Sequence, residues 1–151
     1  MDKPKSLRPK GTDGSDHRFR QRVASRYEDL AVLRQAFQTC SLLFRILAII
    51  FGLFALIALW QNSIPLMQLS HAAGCVIASV STAKLSRNDA APDSTKIYIF
   101  FVLFLALAFI YAAFTSFIDT QYPYFGASVG ACILSIYSLN TSAKLHKHQT
   151  I

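Results

Sequence analysis

Charged residues make up only 15% of this 151-residue chain, against about a quarter in an ordinary soluble domain. Acidic residues are the rarer kind, with 8 Asp and Glu against 15 Lys and Arg. The resulting net charge of +7 would fit a nucleic-acid-binding protein. The basic residues, however, cluster at the ends of long apolar segments, so the sequence predicts no nucleic-acid partner.

Motifs of catalysis and cofactor binding are also missing. The chain has no Gly-rich phosphate loop, no His-Glu-x-x-His pair and no Cys-x-x-Cys pair. Its three cysteines, Cys40, Cys75 and Cys132, are an odd set without metal-ligand spacing. We therefore expect no enzyme activity, no cofactor and no metal site. Residues 1–40 lack an apolar core, so we also expect no secretory signal peptide.

Long apolar stretches fill most of the remaining sequence, at residues 42–60, 65–83, 97–118 and 122–139. Each is close to the roughly 20 residues that cross a bilayer as a helix. The sequence thus predicts an all-α membrane protein with four transmembrane helices in a compact bundle. A soluble bundle of buried helices is the alternative. It is disfavoured because the first and third stretches are apolar on every side.

The positions of Lys and Arg predict the topology. They lie before the first stretch, in the linker 84–96 and in the tail 140–151, whereas the turns 61–64 and 119–121 have none. By the positive-inside rule, both termini and the linker are then cytosolic. Arg45, inside the first stretch, can extend its side chain to the same interface. The Asn140-Thr141-Ser142 sequon is then cytosolic and should stay unmodified.

Small residues recur every fourth position in the second, third and fourth stretches, which permits close helix packing in lipid. This pattern says that a face packs but does not name its partner. A homo-oligomer and packing within the chain therefore both stay open. The predicted packing residues are Ser70, Gly74, Ala78, Thr82, Gly126 and Gly130.

Few reactive side chains occur in the apolar stretches. His71 is ionisable and Gln68 lies one turn before it, so a small transporter or channel subunit using these polar residues is the alternative function. A histidine that is only hydrogen-bonded within the bundle is favoured over it. Cys40 lies at the expected cytosolic membrane edge, where it is either palmitoylated or a plain thiol.

The polar N-terminus is divided into two parts. Residues 1–17 are predicted to form a flexible cytosolic tail that ends in a Gly-Thr-Asp-Gly-Ser-Asp turn. Residues 18–40 are predicted to form an amphipathic juxtamembrane helix at the lipid headgroups. Its apolar face carries Val23, Tyr27, Leu30 and Phe37.

The stretch GTDGSDHRFRQRVASRY, residues 11–27, resembles the N-terminal signature of the Jagunal family. The four spans and the Tyr122-Pro123-Tyr124 segment are similar to that family in layout. The matching positions of the signature are Gly11, Thr12, Asp13, Gly14, Ser15, Asp16, Arg20, Arg22, Val23, Ala24 and Tyr27.

This resemblance implies residence in the endoplasmic reticulum (ER) membrane. It also implies a non-enzymatic role in ER organisation and in vesicle-mediated transport of the early secretory pathway. The signature is then the expected docking site for cytosolic trafficking or coat proteins, and the bilayer is the other partner. The C-terminal sequence KLHKHQTI lacks the lysine positions of a dilysine retrieval signal, so ER residence must have another basis.

Overall fold

The computed structural model describes residues 13–87 and 92–150, with side chains from Arg18 onward. All regular structure in these ranges is helical, so the all-α prediction is confirmed. The chain divides into two units, Met1–Val32 and Leu33–Ile151. The helices are α1 (Asp13–Trp60), α2 (Leu66–Leu85), α3 (Pro92–Ile118) and α4 (Tyr122–Thr150).

Two helices extend beyond the apolar stretches that predicted them. α1 begins at Asp13, inside the segment expected to be a turn, and is unbroken through residues 40–42. α4 continues past residue 139 to Thr150. Residues 140–150 contain neither Gly nor Pro, and Lys147 and His148 in the last turn are favourable beside the negative end of the helix dipole.

The turn after α1 and the turn after α3 share one helix-ending motif. Asn62 and Thr120 both adopt φ of 57°, the left-handed conformation that often follows a helix. The amide of Ser63 donates to the Ala58 carbonyl at 2.9 Å, and the amide of Gln121 donates to the Ser116 carbonyl at 2.9 Å. These short connections reverse the chain.

Contacts within the Leu33–Ile151 unit show antiparallel neighbours. Ser41 near the start of this part of α1 bonds Ser79 near the end of α2, and Tyr98 near the start of α3 bonds Ser138 of α4. One end of the unit, called the turn end below, carries the turns 61–65 and 119–121. The other, called the linker end, carries the end of α2 and the start of α3.

The two helix pairs bury equivalent positions. Four buried positions of α1 correspond to four buried positions of α3 at a constant spacing, and four of α2 correspond to four of α4 in the same way. The α1 and α3 series are Phe37, Phe44, Phe51 and Ala58 with Thr95, Val102, Phe109 and Ser116. The α2 and α4 series are Cys75, Ala78, Thr82 and Leu85 with Ser135, Ser138, Ser142 and Leu145.

Three of the described helices are long and apolar enough to cross a membrane, namely Arg18–Trp60, Leu66–Leu85 and Pro92–Ile118. α4 is less apolar on average because of its many hydroxyl side chains. Those side chains are buried, and they include Ser128, Ser135, Ser138 and Ser142. The exposure of its polar residues, rather than its mean hydropathy, therefore bears on whether α4 suits lipid or water.

Candidate functional site

Residues 13–32 of α1 are called the N-terminal segment below. Within it, residues 18–32 expose nearly all of their side chains. Only Val23 and Leu30 are half-buried. Large apolar side chains are exposed beside the charged ones, among them Phe19 and Tyr27. The segment therefore presents both apolar and basic surface that packing in its own unit leaves uncovered.

The structure places most of the predicted signature in this segment. Gly11 and Thr12 lie outside the described residues, and Asp13 to Asp16 form the first helical turn. The remaining signature residues are one half-buried side chain, Val23, and four exposed ones: Arg20, Arg22, Ala24 and Tyr27.

Within residues 18–32, the one side-chain hydrogen bond is from the Ser25 hydroxyl to the Arg22 carbonyl, at 3.0 Å. No arginine of that range is in an ion pair with another described residue. Charges that have no internal partner keep their full attraction for an acidic surface outside the chain. The segment thus presents basic charge that no described residue neutralises.

A serine pair joins α1 to α2 near the linker end. The Ser41 hydroxyl donates to the Ser79 carbonyl at 2.9 Å, and the Ser79 hydroxyl donates to the Ser41 carbonyl at 3.1 Å. Arg45 Nε donates to Ser79 Oγ at 3.1 Å. The arginine inside the first apolar stretch therefore has a polar partner from the neighbouring helix, which lowers the cost of its position.

His71 is buried in an aromatic cluster nearer the turn end. Its Nδ1 lies 2.6 Å from the Tyr124 hydroxyl. The ring stacks on Phe109 with centroids 5.1 Å apart, and Phe51 lies 5.6 Å from it. Buried among these rings and hydrogen-bonded through Nδ1, His71 acts as a structural group of the interior.

A cleft of about 520 Å³ opens at the turn end above this cluster. Gln61, Gln68 and Gln121 line it, and Tyr124 lies among its lining residues. Phe51 and Phe109 pack around His71 beyond Tyr124. These contacts give no support to the transporter alternative, because aromatic side chains occupy the space that a conducting path from Gln68 past His71 would need.

The predicted small packing residues divide into inward and outward positions. A Cβ on Gly74 would lie 2.7 Å from Leu105 Cδ1, so α2 and α3 approach closely there. Ala78 and Thr82 are buried, whereas Ser70 is exposed. Gly126 and Gly130 are exposed, and a Cβ on either would meet nothing within 4 Å. No described residue packs closely on the α4 glycine pair.

Sequence reasoning missed the polar contacts that cross the interior, such as Tyr124 with His71 and Tyr98 with Ser138 at 2.6 Å. No local pattern marks partners so far apart in the chain.

Cys40 is 0% exposed, so this structure offers no accessible thiol for palmitoylation there. Among the described residues, no group of three or more His, Cys, Asp or Glu could hold a metal ion.

Residues 2–72 match the model of the Jagunal family, described as acting in ER re-organisation during oogenesis. The match confirms the resemblance that residues 11–27 predicted and extends it through α1 into α2. Neither the curated proteins nor the solved structures compared with the chain give a match.

Proposed function

Because residues 2–72 carry a Jagunal-family sequence, we propose that the chain is a non-enzymatic protein of the ER membrane. It organises that membrane and supports vesicle-mediated transport in the early secretory pathway. Four membrane-spanning helices anchor it, and the N-terminal segment docks cytosolic trafficking or coat proteins. The observation that carries the docking step is the exposure of Arg20, Arg22 and Tyr27 without internal partners.

The burial pattern of α4 supports a fourth span. Its serine hydroxyls are buried, and two of them donate to carbonyls of the same helix: Ser135 to Ala131 at 2.8 Å and Ser142 to Ser138 at 2.8 Å. Ser128 Oγ is buried without a hydrogen-bond partner among the described residues. Ile133 and Ile136 face outward. A helix with polar groups inside and apolar groups outside suits lipid rather than water, because lipid leaves outward hydroxyls unsatisfied.

The two ends of the Leu33–Ile151 unit also differ as the ends of a membrane bundle do. Trp60 is 88% exposed at the turn end, and Tyr122, which follows the turn 119–121, is also exposed. Aromatic side chains of this kind favour the membrane interface. The linker end instead has Lys84, Arg87 and Lys96. This supports a cytosolic linker end, with the turn end at the luminal face.

A glycosylation tag tests the four-span topology. An Asn-Gly-Thr tag joined after Ile151 through a flexible linker is expected to stay unmodified in ER-derived membranes, because four spans return the C-terminus to the cytosol. The same tag inserted with linkers at Thr120 should become glycosylated. A glycosylated C-terminal tag would mean that α4 does not cross the bilayer.

The docking role is tested by proximity labelling from the N-terminus of the full chain in secretory cells. The variant Asp13→Ala/Asp16→Ala/Arg20→Ala/Arg22→Ala is expected to lose labelling of cytosolic trafficking proteins and to keep its membrane insertion. The reason is that these four charges belong to the signature, and the two arginines are exposed.

The matched control is Arg26→Ala/Glu28→Ala/Asp29→Ala/Arg34→Ala, which removes the same number of charges of each sign from exposed positions that are not among the matching positions of the signature. It should label the same proteins as the unaltered chain. Equal labelling by all three chains would show that the signature only anchors the segment and would overturn the docking proposal.

A further inference from the structure

A second cleft, of about 470 Å³, lies at the linker end between the last turn of α2 and the first turns of α3. Hydroxyl groups, two cations and apolar side chains line it, and no carboxylate is among its described lining residues. The lining residues are Ser81, Lys84, Leu85, Arg87, Ser94, Ile97 and Tyr98. This cleft belongs neither to the docking segment nor to the His71 cluster.

The electrostatics of this linker-end cleft favour an anion. Lys84 and Arg87 are exposed and form no ion pair with a described residue. α3 begins at Pro92, so its free amides and the positive end of its dipole lie at the same end. Asp93 is the acidic residue of that first turn, and it pairs with Lys96 at 3.8 Å.

An apolar track leads away from the same cleft. Ile97 lines the cleft and is exposed, and Phe100 and Phe104 continue the exposed face along α3 toward the turn end. These three side chains lie on one helix face, since they are spaced three and four residues apart. A basic cleft joined to an apolar strip fits an amphiphile, with its anionic head in the cleft and its acyl chain along α3.

We propose that the linker-end cleft binds the headgroup of a phospholipid that carries a phosphomonoester, such as phosphatidic acid. A phosphomonoester carries more than one negative charge near neutral pH. Lys84 and Arg87, which form no ion pair with a described residue, match that charge better than they match a diester. Basic pockets between transmembrane helices on the cytosolic side bind anionic headgroups in this way. The site rests on the membrane-spanning part of the proposed function and not on its docking segment.

Native mass spectrometry of the detergent-solubilised full chain tests the site. Dioleoyl phosphatidic acid is expected to bind at least about tenfold tighter than dioleoyl phosphatidylcholine, given the attraction of two basic side chains. Lys84→Gln/Arg87→Gln should abolish this preference. Lys144→Gln/Lys147→Gln, which removes equal charge from α4 outside the cleft, should retain it. Equal loss in both variants would indicate a diffuse surface effect and overturn the proposal.

Two further experiments test the position of the lipid and the need for its acyl chains. Ser81→Phe fills the cleft without changing charge and should also remove the preference for phosphatidic acid, whereas an unchanged preference would place the lipid elsewhere. Glycerol 3-phosphate should not compete at equal concentration. Competition as strong as that of the lipid would make a soluble phosphate the ligand and overturn the proposal. None of these results depends on the N-terminal docking variants, so failure here leaves the docking proposal standing.

Discussion

Phe51→Ala is expected to lower the free energy of unfolding by about 3 kcal/mol. Phe51 is 0% exposed and lies at the centre of the aromatic cluster. Its ring centroid is 5.5 Å from Phe109, 5.4 Å from Tyr124 and 5.6 Å from His71. Truncation leaves a cavity, because the three neighbouring rings are held on three other helices and cannot move in to fill it. The rings also lose their dispersion contacts with Phe51.

The matched control is Phe104→Ala on α3, because Phe104 is 72% exposed. Lipid or detergent fills the space that its ring leaves, so we expect a loss below about 0.5 kcal/mol. Both variants are measured by SDS-induced unfolding in mixed micelles, followed by circular dichroism. Equal losses would contradict the burial of Phe51 inside the bundle, and with it the placement of His71.

The apolar runs were sufficient to predict the helices, because a run of roughly 20 apolar residues is too long for a strand and indicates a helix. α2 and α3 fall within a few residues of the predicted stretches 65–83 and 97–118. The continuity of α1 and the length of α4 were not predicted, since hydropathy marks where a helix meets lipid and not where its hydrogen bonding stops. Residues 140–150 are polar but still helical.

The candidate sites were predictable only where the pattern is local. The signature of residues 11–27 could be recognised from sequence because its residues are consecutive. The Tyr124–His71 and Ser41–Ser79 pairs could not, because they depend on which helix faces which. The same limit applies to the glycines. Their spacing predicted that both Gly74 and Gly130 are helix-packing positions. In the structure Gly74 lies close to Leu105, whereas Gly130 is uncovered.

Gly74→Ile is expected to cost about 1–3 kcal/mol of unfolding free energy. A Cβ at this position already lies 2.7 Å from Leu105 Cδ1, and Leu105 is itself buried. A rotamer change of Leu105 can accommodate one carbon, so Gly74→Ala should cost clearly less than Gly74→Ile. A branched side chain needs α2 and α3 to separate. Equal, negligible costs for both variants would contradict the close approach of these helices.

Gly130→Ile separates folding of the chain from association between chains. Nothing lies within 4 Å of a Cβ built on Gly130, so the unfolding free energy of the chain should stay within about 0.5 kcal/mol of its original value. The exposed Gly126-x-x-x-Gly130 face is the type of surface on which a second helix packs in lipid. An interface between copies of the chain at this face predicts that Gly130→Ile dissociates them in single-molecule photobleaching counts from liposomes. A monomeric count for the unaltered chain would exclude the homo-oligomer, because the glycine face would then contact only lipid.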